Sequence, residues 1–392
     1  MNIMKNKKLY RSTTNKMFCG VCAGVADFFG IDPTIVRVIY ALVSFFSGGF
    51  PGIIVYFILA FIIPEDNGMI DTDATNHDDK KDIIYREVTS LKQIIIKIID
   101  IIVKLWLKIK DTFWSVKDFF YRKLRKPPKV ASVDDTIDEI VNNNRSIARF
   151  GDGEIKLAAG RTISFQKSSA FITNKMREVL SSDIDGLMIG IADIFGDGER
   201  YDEFTNNYWK KHLARFRGVW YKYLIRGKKY YNASMTRQYI GLKNKEESGE
   251  IFDHIKKIWD GRDVVIIEGE MSRLGVGNDL LDNAKTIKRI LGPSKQAFDK
   301  YDEILEEAKK TDKSSLILLA LGPAATCLAY DLHKLGFQAV DIGHVDVEYE
   351  WYRMKAKKKM PVKNKMVHEA VVNEKDELND SEYENQIIAK IL

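Results

Sequence analysis

Three apolar runs in the second half of the chain, each ending in a glycine or polar turn, constrain the fold more than any other feature of its 392 residues. Val264-Val-Ile-Ile-Glu-Gly-Glu270 is rich in β-branched residues and has no alternation, the pattern of a strand covered on both faces. It leads into Ser272, Arg273 and the loop Leu274-Gly-Val-Gly-Asn-Asp279. Leu280, Leu281, Ala284, Ile287 and Ile290 then recur at helical spacing and predict a helix over Leu280–Leu291. Ser315–Leu321 is a second buried run, followed by Gly322-Pro-Ala-Ala-Thr326 and a predicted helix through Leu332. Phe337–His344 is the third, and its end is expected to deliver His344, Asp346 and Glu348 at alternate positions, with Glu350 and Trp351 beyond. Strand, glycine turn, helix, strand is the order of a parallel α/β sheet, whose ligands bind beyond the carboxyl ends of the strands.

Upstream, Arg149-Phe-Gly-Asp-Gly-Glu154 places two carboxylates two residues apart between glycines. In an extended segment Asp152 and Glu154 point to one side and can share a hard divalent cation, Mn2+ or Mg2+, while Arg149 adds a fixed charge suited to phosphate. A polar Gly-Asp-Gly turn closing a strand is the bland alternative. The loop around Gly275 and Gly277 is neither a full dinucleotide fingerprint nor a Walker loop, although a glycine turn opening a helix offers N–H groups to a phosphate. Asn278, Lys285, Lys288 and Arg289 are expected on or beside that helix, with a solvated basic face as the rival reading for the two lysines. Gly196-Asp-Gly-Glu199 repeats the acidic motif but reads as a turn, leaving Asp193 as a weaker alternative ligand.

Phe150–Glu154, Glu268–Asp279, Ala284–Ile290 and Asp341–Trp351, in that order, resemble the GT-D fold glycosyltransferases. That family was first catalogued as a domain of unknown function and includes enzymes that extend glycans on bacterial surface adhesins. The match covers roughly residues 133–370. It implies a Rossmann-like fold, a UDP-sugar donor with glucose or a related hexose, and a metal held by Asp152 and Glu154. Moving a sugar off a nucleotide diphosphate builds negative charge on the leaving phosphate, which a divalent cation and positive side chains neutralise. Arg149 or Arg273 would support the cation, and His344, Asp346 and Glu348 are the three candidates for the base that deprotonates the acceptor hydroxyl. Asn232, Thr236 and Arg237, after the strand Lys229–Tyr231, resemble the family's Thr-Arg segment. With Gly275, Gly277, Asn278, Arg289 and Thr326 they complete the candidate donor contacts.

The first third is of another kind. Lys16–Pro33 with its Gly-Val-Cys-Ala-Gly-Val-Ala-Asp-Phe-Phe-Gly-Ile-Asp run, the apolar stretch behind it and Pro64-Glu-Asp66 resemble a phage-shock protein C-type domain over about residues 6–66. Cys19 and Cys22 lack a second pair for a metal site, and with Cys327 they read as small apolar residues. Ile35–Ile63 spans 29 residues with Ser47-Gly-Gly-Phe-Pro-Gly52 in its middle. It is long enough to cross a bilayer once with a kink, whereas each half alone is too short. A soluble helical hairpin is the alternative. Basic residues before it and acidic ones after it place the N-terminus in the cytoplasm, and a re-entrant turn at residues 47–52 would keep the transferase there with its donor. Between the modules, Ile83–Lys126 carries one polar stripe through Gln93, Lys97, Asp100, Lys104, Lys108 and Asp111 on an otherwise apolar helix. It reads as an interfacial membrane helix, with an oligomerising coiled coil as the rival.

The expected organisation is therefore an α-helical membrane module over 1–66, an acidic linker and amphipathic helix over 67–130, the α/β transferase domain over 131–370 and a peripheral tail over 371–392. A net charge of +6, with lysines clustered near the membrane segments, suits anionic lipid. The folded domain lacks basic patches interleaved with aromatics, which excludes a nucleic-acid binder. These features predict a metal-dependent glycosyltransferase acting at the cell membrane on a glycan or glycoprotein acceptor. The competing class is a membrane stress sensor whose C-terminal domain binds a nucleotide or sugar without turning it over.

Overall fold

The computed structural model describes residues 9–46, 50–65, 79–366 and 380–392. The chain divides into two compact units, Met1–Phe113 and Trp114–Leu392.

In the first unit, α1 (Val21–Phe29), α2 (Pro33–Phe46) and α3 (Phe50–Ile62) pack side by side. Two glycines of the sequence motif let the N-terminal segment lie against α1. A Cβ at Gly20 would meet the Ser12 carbonyl oxygen at 2.2 Å, and one at Gly24 would meet that of Tyr10 at 1.9 Å. Arg11 fastens this segment by an Nε bond to the Ile63 carbonyl and a 3.3 Å ion pair with Glu65. The apolar stretch thus forms two helices of 14 and 13 residues, and among the described residues no helix is long and apolar enough to cross a membrane. Ser47–Gly49, where the re-entrant turn was expected, lie outside the described residues. Cys22 is buried and Cys19 partly so, both as free thiols.

A 46-residue helix, α4 (Asp79–Leu124), follows and crosses from the first unit into the second. The second unit continues with β1 (Lys129–Val130), α5 (Val133–Asn143), β2 (Ser146–Phe150), α6 (Asp152–Ala158), α7 (Ala170–Leu180) and β3 (Leu187–Ile191). Next come α8 (Glu203–Tyr223), β4 (Lys229–Asn232), α9 (Ser248–Lys256), β5 (Asp263–Gly269) and β6 (Thr286–Gly292). The last elements are α10 (Tyr301–Ala308), β7 (Leu316–Ala320), α11 (Pro323–Lys334), β8 (Gln338–Asp341), α12 (Val345–Arg353), α13 (Ser381–Gln386) and β9 (Ile387–Lys390).

The strands form one sheet in the order β1-β4-β3-β2-β8-β7-β5-β6-β9, parallel throughout. The apolar runs read from the sequence are its central strands, buried on both faces as a parallel sheet requires. Helices α6, α7, α8, α10 and α11 contribute to the core on one face, and α5, α9 and α12 to the core on the other. The helices after β2 and β8 therefore leave toward opposite faces, the kind of topological switch at which open α/β sheets bind their ligands.

Three expectations are corrected. The segment predicted as a helix from Leu280 to Leu291 is a turn followed by strand β6. Arg273, Gly275 and Gly277 have φ of 47°, 76° and 78°, the Asn278 side chain takes the Leu280 N–H, and Trp259 donates to the Leu280 carbonyl. The backbone groups that would start a helix are already committed, and the β-branched Thr286, Ile287 and Ile290 pair with β5 along its full length. Lys285, Lys288 and Arg289 accordingly belong to the approach to a strand and the strand itself. The tail expected to be peripheral returns as β9 on the edge of β6. Finally, β8 ends at Asp341, so His344, Asp346 and Glu348 lie at the start of helix α12 and not at alternate strand positions.

Candidate active site

The acidic motif leaves β2 and turns straight into a helix. Asp152 and Glu154 occupy the first turn of α6, not the extended segment expected for a shared pair, and they face different partners. Glu154 Oε2 accepts from the Gly151 N–H at 2.8 Å, closing the helix start. Asp152 Oδ2 accepts from Lys156 Nζ and from the Tyr208 hydroxyl, both at 2.5 Å. Burial, with the charges of Asp152 and Asp341 added, pushes the Glu154 carboxyl up to about 7, while the Lys156 and Tyr208 bonds outweigh burial and hold Asp152 below its ordinary value.

Arg149 is spent within the protein. Its guanidinium meets Asp341 Oδ1 at 2.8 Å, the Ala233 carbonyl at 2.7 Å and Thr236 Oγ1 at 2.5 Å, and Nε donates to the Asp341 carbonyl. It fastens β2 to β8 and to the 3-10 turn after β4. Thr326, at the start of α11, closes the same group by donating to the Arg149 carbonyl and to Asp341 Oδ2. Asn232 is buried and caps that 3-10 turn through Ser234 N–H. Arg237 lies 3.7 Å from Glu348.

The base candidates separate by environment. Glu348 Oε2 accepts the N–H groups of both Tyr239 and Ile240 at 3.0 Å, so the carboxylate braces the segment after the 3-10 turn. Asp346 is paired with buried Lys365 at 2.6 Å and accepts from Gly275 N–H and Asn278 Nδ2. Asn278 also donates to Glu350, and Gly277 accepts from Arg353. The glycine loop is thereby held against the first turns of α12. His344 caps that helix at the strand edge and lines a cavity of about 100 Å3 together with Asp346. The cavity lies beyond the ends of β5, β6, β7 and β8, between Gly269, Ser272, Ser294 and Gly322. Ser294 Oγ is buried there and unpaired among the described residues, as is Arg273 Nε nearby, while another nitrogen of Arg273 donates to the Asn364 carbonyl. Buried donors left unpaired are costly, and in a cleft they mark where a ligand would bond. Arg289, expected to contact the donor, instead forms a buried 2.6 Å pair with Glu268 and bonds to the Leu274 carbonyl and Gln386. Lys365, Ser294 and Tyr208 were not foreseen. Ser294 follows a strand end that had been read as helix, and the other two carry no local signal.

A family model for the glycosyltransferase GT-D fold matches residues 147–370, more than half the chain and the sheet from β2 through β8. The chain belongs to the GT-D fold glycosyltransferases. Glycosyltransferase GlyD of Streptococcus pneumoniae serotype 4 is 38% identical over 266 residues, 67% of this chain and 33% of GlyD. The chain thus spans about a third of that relative's length. A solved structure described as a new glycosyltransferase from Streptococcus sanguinis superposes with a TM-score of 0.64 at 36% identity, covering 68% of this chain and all of the other. Residues 7–66 match the PspC domain model, and the uncharacterized membrane protein YvlC of Bacillus subtilis is 37% identical over 62 residues, 16% of this chain and 95% of YvlC. The GT-D domain of this chain therefore follows a PspC domain.

Proposed function

We propose that the GT-D domain transfers a sugar, glucose or a related hexose, from a UDP-sugar to a glycan or glycoprotein hydroxyl at the membrane surface. The observation that carries this reading is the carboxyl edge of the parallel sheet, where the acidic turn of α6 follows β2, the His344 turn follows β8 and the cavity with its unpaired Ser294 hydroxyl lies beyond β5 to β8. In the reaction the C1–O bond to the diphosphate breaks, the acceptor oxygen bonds to C1, and the acceptor's proton passes to a base. His344 is assigned as that base, because it lines the cavity and an imidazole is the commonest general base.

Asp152 and Glu154 suit a divalent cation as hard oxygen donors. Burial, and after it the charges of Asp152 and Asp341, raises Glu154, and a cation beside these carboxylates would favour its ionised form. Among the described residues no cluster of three or more His, Cys, Asp or Glu could hold a metal alone, so the donor's phosphates and water would complete the shell. Such a cation supplies charge neutralisation at the leaving diphosphate. Arg149 and Asp341 tie β2 to β8 beside the acidic turn, and Arg273 Nε offers a donor to the phosphates.

Lipid association is assigned to α4, which exposes Ile101, Leu105, Ile109 and Phe113, and to the PspC domain, whose relative YvlC is named a membrane protein. The catalytic unit is assigned to the cytoplasm, where nucleotide sugars are. The test is UDP release from a panel of UDP-sugars by the full chain, with manganese or with chelator. Turnover that needs the cation and falls at least about a hundredfold in Asp152→Asn supports the reading. Donor binding without turnover in any condition supports a sensor and refutes it.

A further inference from the structure

The end of α4 is packed into the transferase unit more tightly than a tether needs. Asp118 is 5% exposed and sits between two arginines, with Oδ1 at 2.5 Å from Arg217 Nε on α8 and Oδ2 at 2.7 Å from Arg122. Arg217 itself is 2% exposed. Tyr121 packs edge-on against Tyr221, and α8 carries Gly218 where a Cβ would meet the Tyr121 hydroxyl at 2.7 Å. Arg125 continues the seat with a bond to the Leu224 carbonyl.

Helix α8 leads from this seat to the acidic motif. Tyr208, near its start, donates to Asp152, and His212 and Phe216 follow at four-residue steps as a stacked column. Phe195, from the loop after β3, stacks on Tyr221 with the Arg217 guanidinium over its ring. The Tyr208 hydroxyl, which meets Asp152, is thus carried on the helix that Asp118 anchors, and the loop of Phe195 packs on the same cluster.

We propose that Asp118 is a positioning residue of the transferase, acting through Arg217 and α8 to set Tyr208 against Asp152, so that the last turns of α4 are part of the catalytic unit. This rests on the function proposed above for Asp152. A buried arginine that loses its carboxylate must recruit water or shift, and a slide of α8 along its axis would carry Tyr208, on the same helix, with it. Displacements near 1 Å at a reacting centre cost up to about a hundredfold in rate.

The experiment is a double-mutant cycle on the full chain with Asp118→Asn and Tyr208→Phe, following kcat and donor KM for UDP-sugar turnover, with thermal melting of each variant in parallel. Asp118→Asn keeps the volume and one acceptor for Arg217, which preserves the fold. The expected result is a fall in kcat of about tenfold or more for each single variant, and little further loss in the double, because both act on Asp152 by one route. Two results overturn the proposal: Asp118→Asn lowering the melting temperature with kcat unchanged, or losses in the two variants that multiply. Arg217→Lys, which keeps the charge but loses the Nε geometry, must lower kcat in the same non-multiplying way. If the wild-type chain shows no turnover at all, the functional reading fails, whereas an active wild type with an indifferent Asp118→Asn sinks the positioning role alone.

Discussion

His212 lies buried on α8 between the rings of Tyr208 and Phe216, and burial lowers its pKa to about 4 from 6.5. The unfolded chain takes up that proton near 6.5 and the folded chain only near 4. The stability from keeping the ring neutral is thus complete above pH 6.5 and is lost as pH falls toward 4, by up to about 3 kcal/mol. Denaturant midpoints at pH 7.5 and 5 should show this slope, and His212→Gln should flatten it. His344→Asn should lower kcat by about a hundredfold or more with donor KM nearly unchanged, since it removes a proton acceptor and not a donor contact. Glu348→Gln should instead lower the melting temperature, because its carboxylate serves two backbone N–H groups. The sequence put His344 and Glu348 together just after β8, but the contacts that Glu348 and Arg149 make were illegible in it. In the sequence a glutamate looks the same whether it faces a cleft or a pair of buried N–H groups 109 and 108 positions away.

At the scale of elements, the buried strands were legible because a parallel sheet covered on both faces writes itself as unbroken apolar runs. One misread element was β6, whose Ile287 and Ile290 share a helical face by spacing but as strand residues point to the two opposite cores. Its strand character comes from partners distant in sequence, β5 on one side and β9 on the other. The Glu268–Arg289 pair locks this edge, with Tyr383 beneath the guanidinium and Gln386 on its Nε. Arg289→Met leaves Glu268 buried and unpaired, so the transferase unit should lose about 3–5 kcal/mol by denaturant titration. Gly275→Ala should disturb the glycine loop for two separate reasons, a φ of 76° and a Cβ 2.6 Å from Leu281 Cδ1, and should raise donor KM.

Across the whole chain, a PspC domain, a long helix with exposed apolar side chains and a GT-D domain are joined in one polypeptide. Co-sedimentation with vesicles should show binding that increases with anionic lipid and falls with salt, and that weakens when Ile101, Leu105 and Ile109 are made polar. The two domain resemblances were readable as motifs in order along the chain. The docking of Asp118 onto Arg217 was not, because it joins residues 99 apart that show no pattern of their own. The central claim is that the acidic turn of α6 faces a nucleotide's phosphates across a cation. Crystals grown with UDP and manganese, read by anomalous scattering at the metal edge, test it most directly. The account predicts one metal peak at the acidic turn beside Asp152 and Glu154, with the diphosphate next to it and the uridine beyond the ends of β5 to β8. A nucleotide bound elsewhere, or a diphosphate bound there with no metal peak at those two side chains, contradicts it.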